Sequence, residues 1–219
     1  MKQLRMALAL AGMAAITGAL GVSAQGADRS PLHYFFSADL TPVGGFPAVQ
    51  GSSSTLVRRA DGVMMELSTR NLAAGAYTVW WVIFNNPESC TAPIAALGTN
   101  CGEADLSVPA VNASVFFAAG GVVGANGNGH FSAQLGEHTL PNGLGQVVIP
   151  GTPGGLDDAE KAEIHLVVHY HGPASSNAAL LAEQISTFGA GCTLATGFGL
   201  GTPGDFSCYD PQAVPHLAP

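Results

Sequence analysis

Three imidazoles crowd into the run Ala162–His171, AEIHLVVHYH, at positions 165, 169 and 171. Side chains on a strand alternate between its faces. On that pattern Ile164, Leu166, Val168 and Tyr170 point to the core, and Glu163, His165, Val167, His169 and His171 point away from it. Same-face neighbours lie about 6.5–7 Å apart, so His169 and His171 can converge on one ion. His165 sits about 13 Å from His169 on the same spacing, too far to share it. A further ligand must come from another strand. His130 and His138 are the candidates, with His33 and His216 more remote. Neutral imidazole suits zinc or copper, and Glu163 or Glu137 could fix an imidazole tautomer from behind. The competing reading is a polar strand face that is hydrogen-bonded or exposed and holds nothing. Geometry decides: metal binding gains if His130 or His138 lies beside the His169/His171 pair, and the non-metal module reading wins if every other histidine is remote.

Other motifs carry less chemistry. Gly199-Leu200-Gly201-Thr202-Pro203-Gly204 spells G-x-G-x-x-G, but neither a strand before it nor a helix after it supports a nucleotide-binding loop. There is no G-x-S-x-G elbow and no HExxH, so no catalytic residues are assigned. An enzyme would need an open coordination position beside converging ligands. Asp157, Asp158 and Glu160 read as a solvated acidic turn. Trp80 and Trp81 are adjacent, so a strand places them on opposite sides, one in the core and the other available to stack on a ligand.

The elements around these residues belong to an exported chain. Lys2 and Arg5 precede an apolar run from Met6 to about Leu20, then Val22-Ser23-Ala24 supplies small residues for cleavage. Residues 1–24 are thus expected to be a signal peptide and 25–219 a single domain, periplasmic or secreted. No later stretch is expected to span a membrane. Cys90, Cys101, Cys192 and Cys208 all lie in the mature part. An even count in an exported chain reads as disulfides. Of the three possible connectivities, Cys90–Cys101 and Cys192–Cys208 are favoured, because each brackets a Gly/Thr/Pro-rich loop that needs a staple.

Composition agrees with a β protein. Glycine (29) and proline (14) are too frequent for a helical bundle, and 47% hydrophobic residues are too many for a disordered chain. Losing Lys2 and Arg5 leaves five basic against fifteen acidic side chains, a net charge of −10. That excludes an electrostatic footprint for nucleic acid. Runs at 53–59 and 63–69 around Ala60-Asp61-Gly62 form a hairpin. Residues 77–84, YTVWWVIF, are apolar on both parities and predict a strand buried on both faces. Residues 114–123 and 129–135 flank Asn126-Gly127-Asn128 as a second hairpin. Asp157–Lys161 reads as a helical turn, and 146–149, 162–171 and 183–188 as further strands. The expected fold is all-β, a single antiparallel β-sandwich of Greek-key or Ig-like type, stapled by disulfides.

The stretch HYFFSADLTPVGGFPAV (33–49), the hairpin, LAAGAYTVWW (72–81) and HYHGPA (169–174) together resemble secreted CHRD-type (chordin-like) domains. The resemblance implies an extracellular or periplasmic β module and carries over no catalytic residue. Two functions are expected from these observations: transition-metal binding, zinc or copper, at His169 and His171; or a non-catalytic extracellular structural or adhesion module with no metal.

Overall fold

The computed structural model describes residues 26–139, 155–197 and 200–219. The signal peptide expected over 1–24 and the short strand expected over 146–149 lie outside the described residues. Among those residues the chain forms eight strands: β1 (Asp28–Tyr34), β2 (Ala48–Arg59), β3 (Gly62–Thr69), β4 (Gly75–Phe84), β5 (Ala113–Val123), β6 (Gly129–Gly136), β7 (Glu163–Tyr170) and β8 (Tyr209–His216). All pairings are antiparallel, in the order β5-β4-β7-β8-β1-β2-β3-β6. The sheet is nearly closed, with its outer strands β5 and β6 in contact across the gap. The all-β antiparallel character expected from the sequence is present, and so are the disulfides Cys90–Cys101 and Cys192–Cys208. Among the described residues no helix is long and apolar enough to cross a membrane.

Strand β7 lies between β4 and β8. Its inward residues Ile164, Leu166, Val168 and Tyr170 join Tyr77, Val79, Trp81 and Ile83 of β4 in the main core, as alternation requires. Its other face is covered rather than solvated. At one end lies the segment 85–112, stapled by Cys90–Cys101. Its Cys101 and Val111 pack with Phe84 in a second, smaller apolar cluster. At the other end lies the segment 171–208, stapled by Cys192–Cys208. This second cover sits very close to the sheet. A Cβ on Gly120 of β5 would stand 1.9 Å from the Ile185 carbonyl oxygen.

Three sequence expectations change. The 114–123 and 129–135 runs are strands, but they do not pair as a hairpin. β5 pairs with β4 and β6 with β3, so the Asn126-Gly127 connection joins the two edges of the sheet. Residues 183–188 are not a strand. They follow or end a helix, α1 (Ala178–Gln184), whose start is capped by the Asn177 side chain accepting from the Ala179 and Leu180 amides. The Ala-Ala-Leu-Leu-Ala run after that cap favours helix strongly. Strands β1 and β8 have no counterpart in the sequence reading, because Pro31, Pro211 and Pro215 interrupt them. Proline argues against a strand embedded in a sheet, yet Pro211 is accommodated where the β7–β8 register shifts.

The contact at Gly120 makes a paired prediction. Gly120→Ala drives a methyl into the backbone of the cover and should destabilise the protein by about 1–3 kcal/mol. Gly121→Ala, whose Cβ meets only the Phe131 ring at 3.6 Å, should change stability by less than about 0.5 kcal/mol. Thermal denaturation followed by circular dichroism compares them. Equal losses would contradict the close approach.

Candidate metal centre

The register shift in β8 aims one carboxylate. Val168 pairs with Gln212 and Tyr170 with Tyr209, so two residues of β8, Asp210 and Pro211, face His169 alone. Such bulges redirect side chains. Here Asp210 Oδ1 lies 2.6 Å from His169 Nδ1. A carboxylate accepts from a ring N–H, so Asp210 takes Nδ1 and leaves Nε2 as the ring nitrogen turned away from it. That nitrogen faces Cys192 Sγ at 3.9 Å. Phe188 stacks on the His169 ring at 4.2 Å, and the imidazole is 2% exposed.

His171 is held by a different logic. The Trp80 indole can only donate, and it donates to Thr78 Oγ1 at 2.7 Å. The Ala190 carbonyl can only accept, so His171 Nδ1, at 3.0 Å, carries the proton. Burial pushes the His171 imidazole down to about 3, assisted by His169 and opposed by the Ala190 carbonyl. A neutral ring with Nδ1–H accepts at Nε2 from the Thr78 hydroxyl, 2.9 Å away. Every polar atom in this chain of contacts has a partner. Trp80 is itself buried, packed on Phe117 and Phe188, so it offers no stacking surface to a ligand.

The segment 171–208 adds sulfur to this pair. Cys192 Sγ lies 3.6 Å from His171 Nδ1. Ligand atoms of His169, His171, Cys192 and Cys208 all fall within 4.8 Å of one another. Two imidazoles and two sulfurs form a donor set that suits zinc or copper(I). The sulfurs are joined to each other as a disulfide, and the thiolate is the ligand form of cysteine.

The other histidines stand apart from this group. His130 is exposed on β6 and bonds Ser68, while His138 lies near Asp157 at 3.9 Å, also exposed. Neither joins the His169/His171 pair among the described residues, so the histidines by themselves favour the non-metal module. The extra donors are the cysteines, which the sequence favours as staples over thiolate ligands because it holds no Cys-x-x-Cys spacing. His165 shares the outer face of β7 but bonds Glu163 at 2.8 Å and packs on Phe84. His33 bonds the Phe46 carbonyl. Glu137 accepts from the Ala159 amide rather than from a histidine. A second metal-like group, Cys90, Cys101 and Asp105, is saturated: the Asp105 carboxylate accepts from the amides of Thr91, Ala92 and Gly102.

One arrangement that no motif announced looks catalytic. Ser54 Oγ lies 3.0 Å from His216 Nε2, and Asp28 Oδ2 lies 2.7 Å from His216 Nδ1. This is the hydrogen-bond order of a Ser-His-Asp triad. Ser54 and His216 are both 0% exposed, so a substrate cannot reach the hydroxyl. The three residues tie β1, β2 and β8 together.

Glu163 plays the same structural part at the far end of β7. It is 0% exposed and accepts from the Asn100 and Cys101 amides and the Asn100 side chain. Burial raises its pKa, but His165 and those amides outweigh burial and hold the carboxyl below its ordinary value. A depressed carboxyl contributes stability that is fully present above the unfolded glutamate value of about 4.3 and lost as pH falls through the folded value. Glu163→Gln should therefore cost about 3 kcal/mol at pH 7 and flatten the loss of stability below about pH 4. Urea unfolding at pH 7 and pH 3 measures both, and an unchanged acid slope in the variant would contradict this role.

No family model matches the chain, and neither a curated protein nor a solved structure shows significant similarity to it.

Proposed function

We propose that this chain is an exported single-domain β protein, mature over 25–219, that binds a transition metal, zinc or copper, through His169, His171, Cys192 and Cys208. The observation that carries the reading is the cluster itself, four donor side chains with ligand atoms within 4.8 Å. The Asp210 carboxylate behind His169 supports it, since such a partner fixes the tautomer that turns Nε2 toward an ion. Export is supported by Lys2, Arg5, the apolar run and Val22-Ser23-Ala24, and by two disulfides, which persist in oxidising compartments. All four donors are buried, which suits a closed metal site rather than one open to substrate.

A second reading has its own observation. Thr78, Ala190 and Asp210 already satisfy both rings, and the sulfurs are already paired. That is what a non-catalytic structural or adhesion module, as the CHRD-type resemblance implies, would show with a filled polar layer and no metal.

Elemental analysis separates the two. Untagged protein, purified under reducing conditions and dialysed against zinc or copper(I), should hold about one ion per chain with a Kd below about 1 µM, near −8 kcal/mol. The His169→Ala/His171→Ala variant should lose the ion. Wild type without metal, or a variant that retains it, would overturn the metal reading.

A further inference from the structure

We infer that the Cys192–Cys208 disulfide is a redox gate on the metal centre: closed, it excludes the ion; opened to two thiols, it completes a Cys2His2 site. The inference rests on the metal reading above and adds its regulation.

In the closed state the cluster lacks ligands. Each sulfur is bonded to the other, and a disulfide sulfur offers no thiolate. His171 Nδ1, the nitrogen nearest Cys192, carries a proton for the Ala190 carbonyl. Of the two rings, only His169 turns a nitrogen, Nε2, to the group without a backbone partner on it. One imidazole nitrogen does not make a site for zinc, which takes four ligands.

Opening the bridge changes every term. A dithiol reductant of the Cys-x-x-Cys class attacks one sulfur, forms a mixed disulfide, and leaves as its own disulfide. Two electrons and two protons pass to Cys192 and Cys208. Zinc(II) then displaces the two thiol protons. His171 moves its proton from Nδ1 to Nε2, where the Thr78 hydroxyl oxygen accepts it while still accepting from Trp80. Both imidazoles then face the ion. A disulfide of the same Cys-x-x-Cys class reverses the sequence: it takes the two electrons, leaves as its dithiol with two protons from water, reforms Cys192–Cys208 and releases the metal.

The other bridge shows that this is particular to Cys192–Cys208. No imidazole stands in the Cys90–Cys101 group, and its one carboxylate is filled by backbone amides. Reduction there creates thiols with no nitrogen partners.

The test uses wild-type protein in two states, air-oxidised and phosphine-reduced, each titrated with zinc(II) and, as a spectroscopic stand-in, cobalt(II). Circular dichroism verifies that the sheet persists after reduction. The reduced protein should bind about one zinc per chain, at least 100-fold more tightly than the oxidised protein, and cobalt should give thiolate charge-transfer bands. Zinc should protect Cys192 and Cys208, but not Cys90 and Cys101, from alkylation mapped by mass spectrometry. A disulfide-forming oxidant should release the ion stoichiometrically. Equal zinc affinity in both states would overturn the gate and leave an imidazole-based metal site standing. Zinc binding in neither state would overturn the gate together with the metal reading. Loss of the sheet on reduction would make the bridge a staple and overturn the gate.

Discussion

Covering both faces of a strand that is polar on one of them is the constraint on which this structure depends. β7 and the residue that follows it bring Glu163, His165, His169 and His171 to its outer face, and all are buried. A buried polar group without a partner costs about 1–3 kcal/mol, more if charged. The protein meets that demand with two excursions of the chain, each closed by a disulfide and each delivering partners to one end of the strand. Segment 85–112 brings backbone amides to Glu163. Segment 171–208 brings the Ala190 carbonyl and sulfur to His171. The bulge in β8 supplies Asp210 to His169.

The two ends solve one problem with different chemistry. At the Glu163 end an acceptor meets donors whose positions follow from the backbone, so the arrangement has a single state. At the His169/His171 end the groups are two imidazoles and the two sulfurs of a disulfide. The same burial that stabilises the closed arrangement would also exclude water from an ion held there. A structural staple and a metal site therefore make the same demands on packing, and they part company only in the oxidation state of two atoms.

Much of this was legible in the sequence. Period-two alternation in AEIHLVVHYH assigns the correct residues to each face of β7, and the bracketing of loops identifies both cysteine pairs. The His169/His171 pair is visible because strand spacing is local. The rest is not local. Cys192 joins His171 through a chain path of twenty-one residues, and no periodicity reports where such an excursion lands. With no Cys-x-x-Cys spacing to mark a thiolate site, the cysteines read first as staples, and His130 and His138 stood ahead of them as ligands. β8 was hidden by its prolines, and with it Asp210, because proline at a bulge looks in sequence like the end of a strand. The helix after Asn177 was signalled by its cap and its alanines, and the strand reading at 183–188 passed over both.

X-ray absorption spectroscopy at the zinc edge of the reduced, zinc-loaded protein reads whether Cys192 and Cys208 hold the ion together with His169 and His171. The expected first shell is two sulfur scatterers at about 2.3 Å and two nitrogen scatterers at about 2.0–2.1 Å, with imidazole multiple scattering. A shell of nitrogen and oxygen alone would contradict it, because zinc would then lie away from Cys192 and Cys208.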